Sequence, residues 1–156
     1  MIKIDLLKNH PHAIPALANI WHEVLGKIWM PNLTIQYIQK QLVGSWTNED
    51  KLPLAYVALI EDKIVGAASL QVECDLGSDL TPWLGSLVID PIYQKQGIGK
   101  MLVDTTKNKA IELGFRKLYL FAFDPTIPEY YERLGWQKIG MDEFKSHPVT
   151  VMAVGL

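Results

Sequence analysis

Residues 94–100, with the sequence Gln-Lys-Gln-Gly-Ile-Gly-Lys, have the types and spacing of an anion-binding turn. The turn follows the apolar run 83–89, which Asp90-Pro91 closes, and the amphipathic run 98–113 begins within its glycines. The pattern therefore predicts a buried strand, a short loop and a helix N-terminus. Such a terminus has unpaired N–H groups and a positive dipole end, and glycine removes side chains that would hold an anion away. We interpret residues 94–100 as a phosphate cradle.

Other glycine-rich phosphate motifs do not fit this spacing. A P-loop needs four residues between its glycines and then Gly-Lys-Ser/Thr, and a dinucleotide fingerprint needs a third glycine where this chain has Leu102. An isolated Gly-x-Gly can also be a tight turn with no ligand. The cradle by itself leaves ATP, NAD and CoA as alternatives.

Two motifs of this chain are similar to those of the GNAT-type N-acetyltransferases, and they occur in that family's order. The family's acyl-CoA motif, Gln/Arg-x-x-Gly-x-Gly/Ala, matches residues 94–99 in full. The second motif, Asn-x-x-Ala-x-x-x-Tyr-x-x-x-Gly-Phe, falls in register on Asp124, Ile127, Tyr131, Gly135 and Trp136. Asp124 replaces the usual Asn and Ile127 replaces a small residue. The resemblance covers roughly residues 64–152.

The resemblance implies acetyl-CoA as the co-substrate, with no metal. It places the CoA pyrophosphate on the amides of the cradle, and the thioester carbonyl and pantetheine on backbone exposed by a splayed strand. The donor-binding residues expected on this basis are Leu87, Val88, Ile89, Gln94, Lys95, Gln96, Gly97, Ile98, Gly99, Lys100, Asp124 and Tyr131.

Acetyl transfer to an amine also needs an acid for the leaving thiolate and a base for the ammonium proton. Tyr131 matches the family's acid position, and a phenol is neutral at pH 7 yet can donate a proton. The alternative is a packed aromatic residue. Glu73 and Asp75 are candidate bases, with Glu73 ranked first, because the family often places a carboxylate near the end of this strand; a solvated acidic loop explains them equally well.

The acceptor side is less readable. Trp29 and Trp83 are candidate walls of the acceptor site, and either could simply be packed in the core. The acidic stretch with Glu73, Asp75 and Asp79 favours a cationic acceptor. Of the four scattered histidines, His147 is interpreted as a loop residue.

Hydrophobic spacing predicts the elements that position these groups. We expect strands at 2–7, 54–60, 64–72, 83–89, 117–123, 136–139 and 149–154, and helices at 11–29, 35–44, 98–113 and 128–134. This order predicts a mixed α/β domain over residues 1–156. With the resemblance it implies a GNAT-like fold: a central mixed sheet of about seven strands, helices on both faces and a splayed pair of central parallel strands.

Composition limits the remaining possibilities. A net charge of −2 without basic blocks disfavours nucleic acid, and the absence of a long apolar run disfavours a membrane partner. One cysteine and no leader pattern suggest a cytoplasmic protein. The predicted function is N-acetylation of a primary amine, a small cationic amine or a peptide amine, directly in a ternary complex by a monomer or homodimer. The alternatives are a non-catalytic acyl-CoA sensor and a nucleotide-phosphate enzyme.

Overall fold

The structure is a computed structural model that describes residues 1–73 and 76–156. Within these residues the chain forms one seven-stranded sheet in the order β1-β2-β3-β4-β5-β7-β6. The strands are β1 Ile2–Leu6, β2 Leu54–Ile60, β3 Lys63–Gln71, β4 Trp83–Ile89, β5 Lys117–Ala122, β6 Gln137–Phe144 and β7 His147–Gly155. The architecture is the mixed α/β fold that the sequence predicts.

The pairing of β4 with β5 is the irregular place in this sheet. The two strands run parallel, and in the described part of the chain their register consists of the single Cα pair Trp83 with Tyr119. The neighbouring pairs are antiparallel and extended, and β5 pairs with β7 along its whole length. The two strands are therefore joined at the start of β4 and separate toward its end, which is the predicted splay.

A bulge in β4 accompanies this separation. Ser86 has φ +50°, although it is not a glycine, and the register with β3 shifts between Ala67 and Ser69. A bulge bends its strand and increases the local twist. The Trp21 indole Nε1 donates a hydrogen bond of 3.3 Å to the Ser86 hydroxyl, so a helix on one face holds the bulge.

Helices cover both faces of the sheet. They are α1 Ile14–Trp21, α2 Lys27–Trp29, α3 Ile35–Ser45, α4 Ile98–Glu112 and α5 Ile127–Arg133. One core contains Ile14 and Leu17 of α1 with Val57 and Val88 of the sheet. The other contains Leu102 and Val103 of α4, with Tyr131 of α5, against the opposite face. Alternation along each strand supplies apolar side chains to both cores.

The predicted helix 11–29 is wrong as a single regular helix. Residues Pro11–Ala13 form a 3-10 turn, α1 ends at Trp21, and a π-helical turn, His22–Gly26, connects it to α2. Gly26 allows this packing, because a Cβ there would lie 3.2 Å from the Trp21 ring.

Strand β6 is longer than the predicted strand 136–139. It begins at Gln137, reaches Phe144, and is solvent-exposed at every residue but the last. An edge strand without a buried face has no apolar alternation, so the sequence pattern could not show its full length.

Candidate active site

The cradle forms where the splayed strand meets helix α4. Gly97 is the N-cap of α4 and has φ +81° and ψ +4°, and Lys95 also has positive φ, at +64°. The first helical hydrogen bond runs from the Met101 amide to the Gly97 carbonyl at 3.1 Å. The amides of Ile98, Gly99 and Lys100 precede it, as the first turn of any helix requires. The geometry is that of an anion site at a helix N-terminus.

Side chains fix the loop that leads into the cradle. The Asp90 carboxylate accepts a 3.1 Å hydrogen bond from the Ile92 amide, and Gln94 Nε2 donates to the Ile89 carbonyl at 3.2 Å. Lys100 pairs with Asp104 one turn along α4, with Nζ to Oδ2 at 2.8 Å. That hydrogen bond and charge raise the pKa of Lys100. Gln94, the first residue of the motif, thus stabilises the turn itself.

The two cradle glycines have different environments. A Cβ on Gly97 would meet nothing within 4 Å, so space does not require a glycine here. The left-handed backbone conformation does. A Cβ on Gly99 would lie 3.5 Å from the Tyr130 hydroxyl, which is an ordinary contact. Tyr130 is therefore beside the cradle.

A cavity of about 810 Å³ connects the cradle side to the splay between β4 and β5. Ser86, Leu87 and Gln94 line it from the β4 side, and Asp124, Tyr130 and Tyr131 line it from the β5 side. Its size is within the usual range for small-molecule sites. The structure thus brings together Leu87, Gln94, Asp124 and Tyr131 of the predicted donor-binding set.

The other β4 residues of that set differ in orientation. Val88 is 1% exposed and its side chain belongs to the core under α1. The Asp90 amide donates to Val65 of β3 at 2.8 Å. Because N–H groups alternate along a strand, the Ile89 amide points to the other side, toward β5. The Ile89 amide is thus directed into the splay.

Tyr131 lies at the α5 side of the cavity. It is 5% exposed, and its ring packs edge-on against Tyr130 at 5.3 Å and Trp136 at 5.6 Å between centroids. Burial raises the pKa of Tyr131 well above that of an ordinary phenol. A phenol that stays protonated and lines the cavity has the chemistry of a proton donor.

Asp124 is engaged at the start of α5. Its Oδ1 accepts hydrogen bonds from the Thr126 amide at 2.9 Å and the Thr126 hydroxyl at 2.8 Å. These two hydrogen bonds lower the pKa of Asp124. The carboxylate thus acts as an Asx-type turn at the rim of the cavity.

None of the candidate bases that the structure describes is among the residues that line this cavity. Glu73 is exposed, follows β3 by two residues, and is not among the residues that line the cavity. Asp75 lies outside the described residues. Asp79 is exposed on the loop before β4. A base for the ammonium proton therefore stays a prediction.

Both predicted tryptophans line the cavity. Trp29 stacks on Phe123 with centroids 5.1 Å apart and planes inclined by 11°, and the His147 ring stands edge-on to Trp29 at 5.3 Å. Trp83 is 1% exposed, and its Nε1 donates to the Leu80 carbonyl at 2.6 Å. His147, interpreted from sequence as a loop residue, begins β7 and contacts this cluster.

Sequence reasoning missed several aromatic residues of this wall. Phe121 and Phe123 lie on β5 and its extension, and Phe144 ends β6. A signal was present, because Tyr119, Phe121 and Phe123 alternate with other residues and so share one face of a strand. The bulge at Ser86 had no comparable signal.

Residues 1–73 and 76–156 contain no group of three His, Cys, Asp or Glu side chains able to hold a metal ion. None of the helices described for those residues has the length and apolar character needed to cross a membrane.

Comparison with known proteins identifies the family of this chain. The family described as Acetyltransferase (GNAT) domain matches residues 53–138, which is more than half of the chain. The chain belongs to the GNAT acetyltransferase family, and its class is that of an acyl-CoA-dependent acetyltransferase. The predicted family and enzyme class are confirmed.

Individual relatives are more distant. GCN5-related N-acetyltransferase 2 of Arabidopsis thaliana is 31% identical over 77 residues, which cover 49% of this chain and 28% of that protein. Glucosamine 6-phosphate N-acetyltransferase of Schizosaccharomyces pombe is 26% identical over 102 residues, which cover 60% of this chain and 91% of that protein. The solved structure of PaiA N-acetyltransferase from Thermoplasma acidophilum, in complex with coenzyme A, is similar to the whole chain. The TM-score is 0.71 at 17% identity, and the match covers 100% of this chain and 99% of the other. This likeness confirms the GNAT-like fold.

Proposed function

We propose that this chain transfers acetyl from acetyl-CoA directly to a primary amine in a ternary complex. The observation that carries the proposal is the placement of the cradle and Tyr131 around one cavity. The helix N-terminus of the cradle follows β4, and the cavity at the splay is lined by Gln94 of the cradle on one side and by the buried phenol of Tyr131 on the other. A long donor with phosphates at one end and a thioester at the other matches this order.

The residues present suit the donor. The amides of Ile98, Gly99 and Lys100 would hold the pyrophosphate, since Gly97 leaves the space beside them open. The Ile89 amide, which points into the splay, would contact the pantetheine or the thioester carbonyl. Asp124 takes the position of a pantetheine-contacting Asn in the family motif, but its Oδ1 is already bound to Thr126. That leaves Oδ2 and the backbone to face the donor.

The reaction forms one bond and breaks another. The lone pair of the neutral amine attacks the thioester carbon, an N–C bond forms, and the C–S bond breaks. Tyr131 gives its proton to the departing sulfur, and the proton lost by the amine nitrogen goes to a base or to water. Burial keeps the Tyr131 phenol protonated, so a proton is available at the position that the family motif gives to the acid. Glu73 stays the predicted base.

The proposed acceptor is a small-molecule or peptide primary amine. The relatives named above act on amines according to their names, among them glucosamine 6-phosphate. The acidic stretch around Glu73 and Asp79 favours an acceptor that arrives as a cation. A primary alkylamine such as a lysine side chain meets that condition near neutral pH, because its pKa is about 10.

Two measurements test the proposal. Thermal shift with CoA, ATP and NAD should show stabilisation by CoA above all, since a ligand of the folded state raises the melting temperature. Thiol release from acetyl-CoA should then appear with at least one amine of a panel. Stabilisation by CoA without thiol release on any amine would instead favour the non-catalytic acyl-CoA sensor. Preferential stabilisation by ATP or NAD would reject both.

A further inference from the structure

We propose that the acceptor is a monoamine with one aromatic or bulky apolar arm, and that this arm binds on the aromatic rings of the cavity. The inference rests on the proposed function, because it names the acceptor class of that reaction. It depends on the composition of one wall of the cavity and on the charges that this wall lacks.

The wall is built from five lining residues: Trp29, Trp83, Phe121, Phe123 and Phe144. Phe123 is at its centre, with Phe144 edge-on at 5.4 Å and Phe121 edge-on at 5.6 Å, in addition to the stacked Trp29. Phe121 and Phe144 stack at 5.5 Å, and Trp83 approaches Phe121 at 6.2 Å. The rings thus form one packed cluster, and Trp29, Phe121 and Phe123 are its partly exposed members.

These rings come from segments that meet only in the folded chain. Trp29 ends α2, Trp83 starts β4, Phe121 and Phe123 belong to β5 and its extension, and Phe144 ends β6. Trp29, Phe121 and Phe123 are partly exposed and line a cavity of about 810 Å³, whereas Trp83 and Phe144, at 1% and 5% exposed, are the buried members of the same ring cluster. Such a surface favours an apolar or aromatic ligand group.

The charges around the cavity disfavour a polycation. Among its described lining residues the ionisable acids and bases other than tyrosine are Asp124 and Lys145. The Asp124 carboxylate is bound to Thr126, and the Lys145 ammonium lies 5.7 Å from the centroid of Phe144, at the end of the aromatic wall. A polyamine or an aminoglycoside would carry several ammonium groups to a wall that offers them no dedicated anion.

A single ammonium group has a place there. The faces of aromatic rings attract a cation, and one ammonium beside such a face needs no carboxylate. An arylalkylamine combines that charge with an arm that the rings can cover. The same acceptor class thus fits both the acidic stretch, which favours a cation, and the aromatic wall, which favours an apolar arm.

The test compares acceptors of matched reactivity. We would measure kcat/KM at saturating acetyl-CoA for 2-phenylethylamine, 2-aminoethanol and spermidine. The expected result is a preference for 2-phenylethylamine of at least about tenfold over both others, which corresponds to about 1.4 kcal/mol of differential binding. A preference for spermidine or for an aminoglycoside over 2-phenylethylamine would overturn the inference, although the proposed acetyl transfer would stand.

Two variants locate the effect. Trp29→Leu removes a ring of the wall, whereas Phe115→Leu changes an aromatic residue that is not among those lining the cavity. Trp29→Leu should lower kcat/KM for 2-phenylethylamine about tenfold and leave the KM for acetyl-CoA unchanged. Equal losses in the two variants, or equal losses for 2-phenylethylamine and 2-aminoethanol in Trp29→Leu, would refute the assignment of the wall.

The inference is tested even if the chain transfers acetyl to no amine. That result would reject the proposed function, and isothermal titration calorimetry with 2-phenylethylamine would then be measured on the CoA-bound protein. Binding that Trp29→Leu weakens and Phe115→Leu preserves would support the aromatic site. No heat of binding up to millimolar concentration would overturn it.

Discussion

Replacing Gly97 by alanine tests the cradle without removing any side-chain contact. A Cβ at this position has nothing within 4 Å, so the change introduces no clash within the protein. The backbone is the problem, because φ is +81° and ψ is +4°. An L-residue costs about 1–2 kcal/mol in this left-handed region.

That free energy must appear in one of two measurements. If the cradle keeps its shape in Gly97→Ala, the strain lowers the free energy of unfolding, and the melting temperature falls by about 2–8 °C for a chain of this size. If the free loop relaxes, the strain returns on binding, and the Kd for CoA rises about 5- to 30-fold. Differential scanning fluorimetry without ligand and calorimetric titration with CoA measure both effects.

Gly99→Ala is the matched control two residues along. Gly99 is inside the first turn of α4, where alanine is favoured over glycine by up to about 1 kcal/mol. Its Cβ would make only a 3.5 Å contact with the Tyr130 hydroxyl. We expect an unchanged or higher melting temperature and a Kd within about threefold of wild type. If Gly97→Ala matched this control in both measurements, the cradle would not depend on a left-handed residue and the reasoning would be refuted.

Three further predictions follow from other residues. Tyr131→Phe should lower kcat by about 10²-fold or more with little change in affinity for acetyl-CoA. Because burial raises the pKa of Tyr131, the kcat of the wild type should show no loss up to about pH 10. A fall in kcat near pH 8 would contradict the role of Tyr131. Asp124→Asn should keep the hydrogen bonds from Thr126 and stay within about 0.5 kcal/mol of wild type, whereas Asp124→Ala should lose about 1 kcal/mol in urea unfolding. The double change Glu61→Asn with Asp62→Gly should raise stability by about 1 kcal/mol, because both residues have positive φ, at +49° and +67°, in a two-residue hairpin turn.

Each of these predictions has its own internal check. Tyr130→Phe serves as the control for Tyr131, and equal losses in the two would assign the acid to neither. Hydrogen bonds from Thr126 lower the pKa of Asp124, so its contribution to stability is full above the ordinary Asp value of about 3.9. It is lost as the pH falls through the lower folded-state pKa, and Asp124→Asn should lack that dependence. Asp62→Ala, without the tolerance of Asp or Gly for positive φ, should destabilise the hairpin.

The local features of this protein could be predicted from its sequence. Strand β4 has the predicted bounds 83–89, and α4 begins at Ile98 within the glycines as predicted. Both follow from apolar periodicity and from turn chemistry that acts over a few residues. The cradle belongs to this class, because Gly97 supplies its left-handed backbone by itself.

Features that depend on distant contacts could not be predicted. Ser86 adopts φ +50° where Trp21, 65 residues earlier, donates to its hydroxyl, and no local pattern announces that pairing. Trp29, Phe123 and His147 form one cluster from three separate segments. The place of a base was predicted from the family's carboxylate near the end of this strand, and Glu73 is exposed and does not line the cavity. The acceptor wall thus required the tertiary structure.

The single Cα pair between β4 and β5 has a consequence for how this sheet opens and closes. On one side lie β1 to β4, on the other β5, β7 and β6, and each half has its own continuous ladder of backbone hydrogen bonds. The boundary between them is a seam, and helix α4 lies in the chain segment that connects β4 on one side with β5 on the other. One apolar core, with Val65 and Leu84 from the first half and Leu120 and Met152 from the second, joins the two halves beside the seam. A donor bound there, as proposed above, would add backbone partners along the seam and slow the exchange of amide hydrogens in β4.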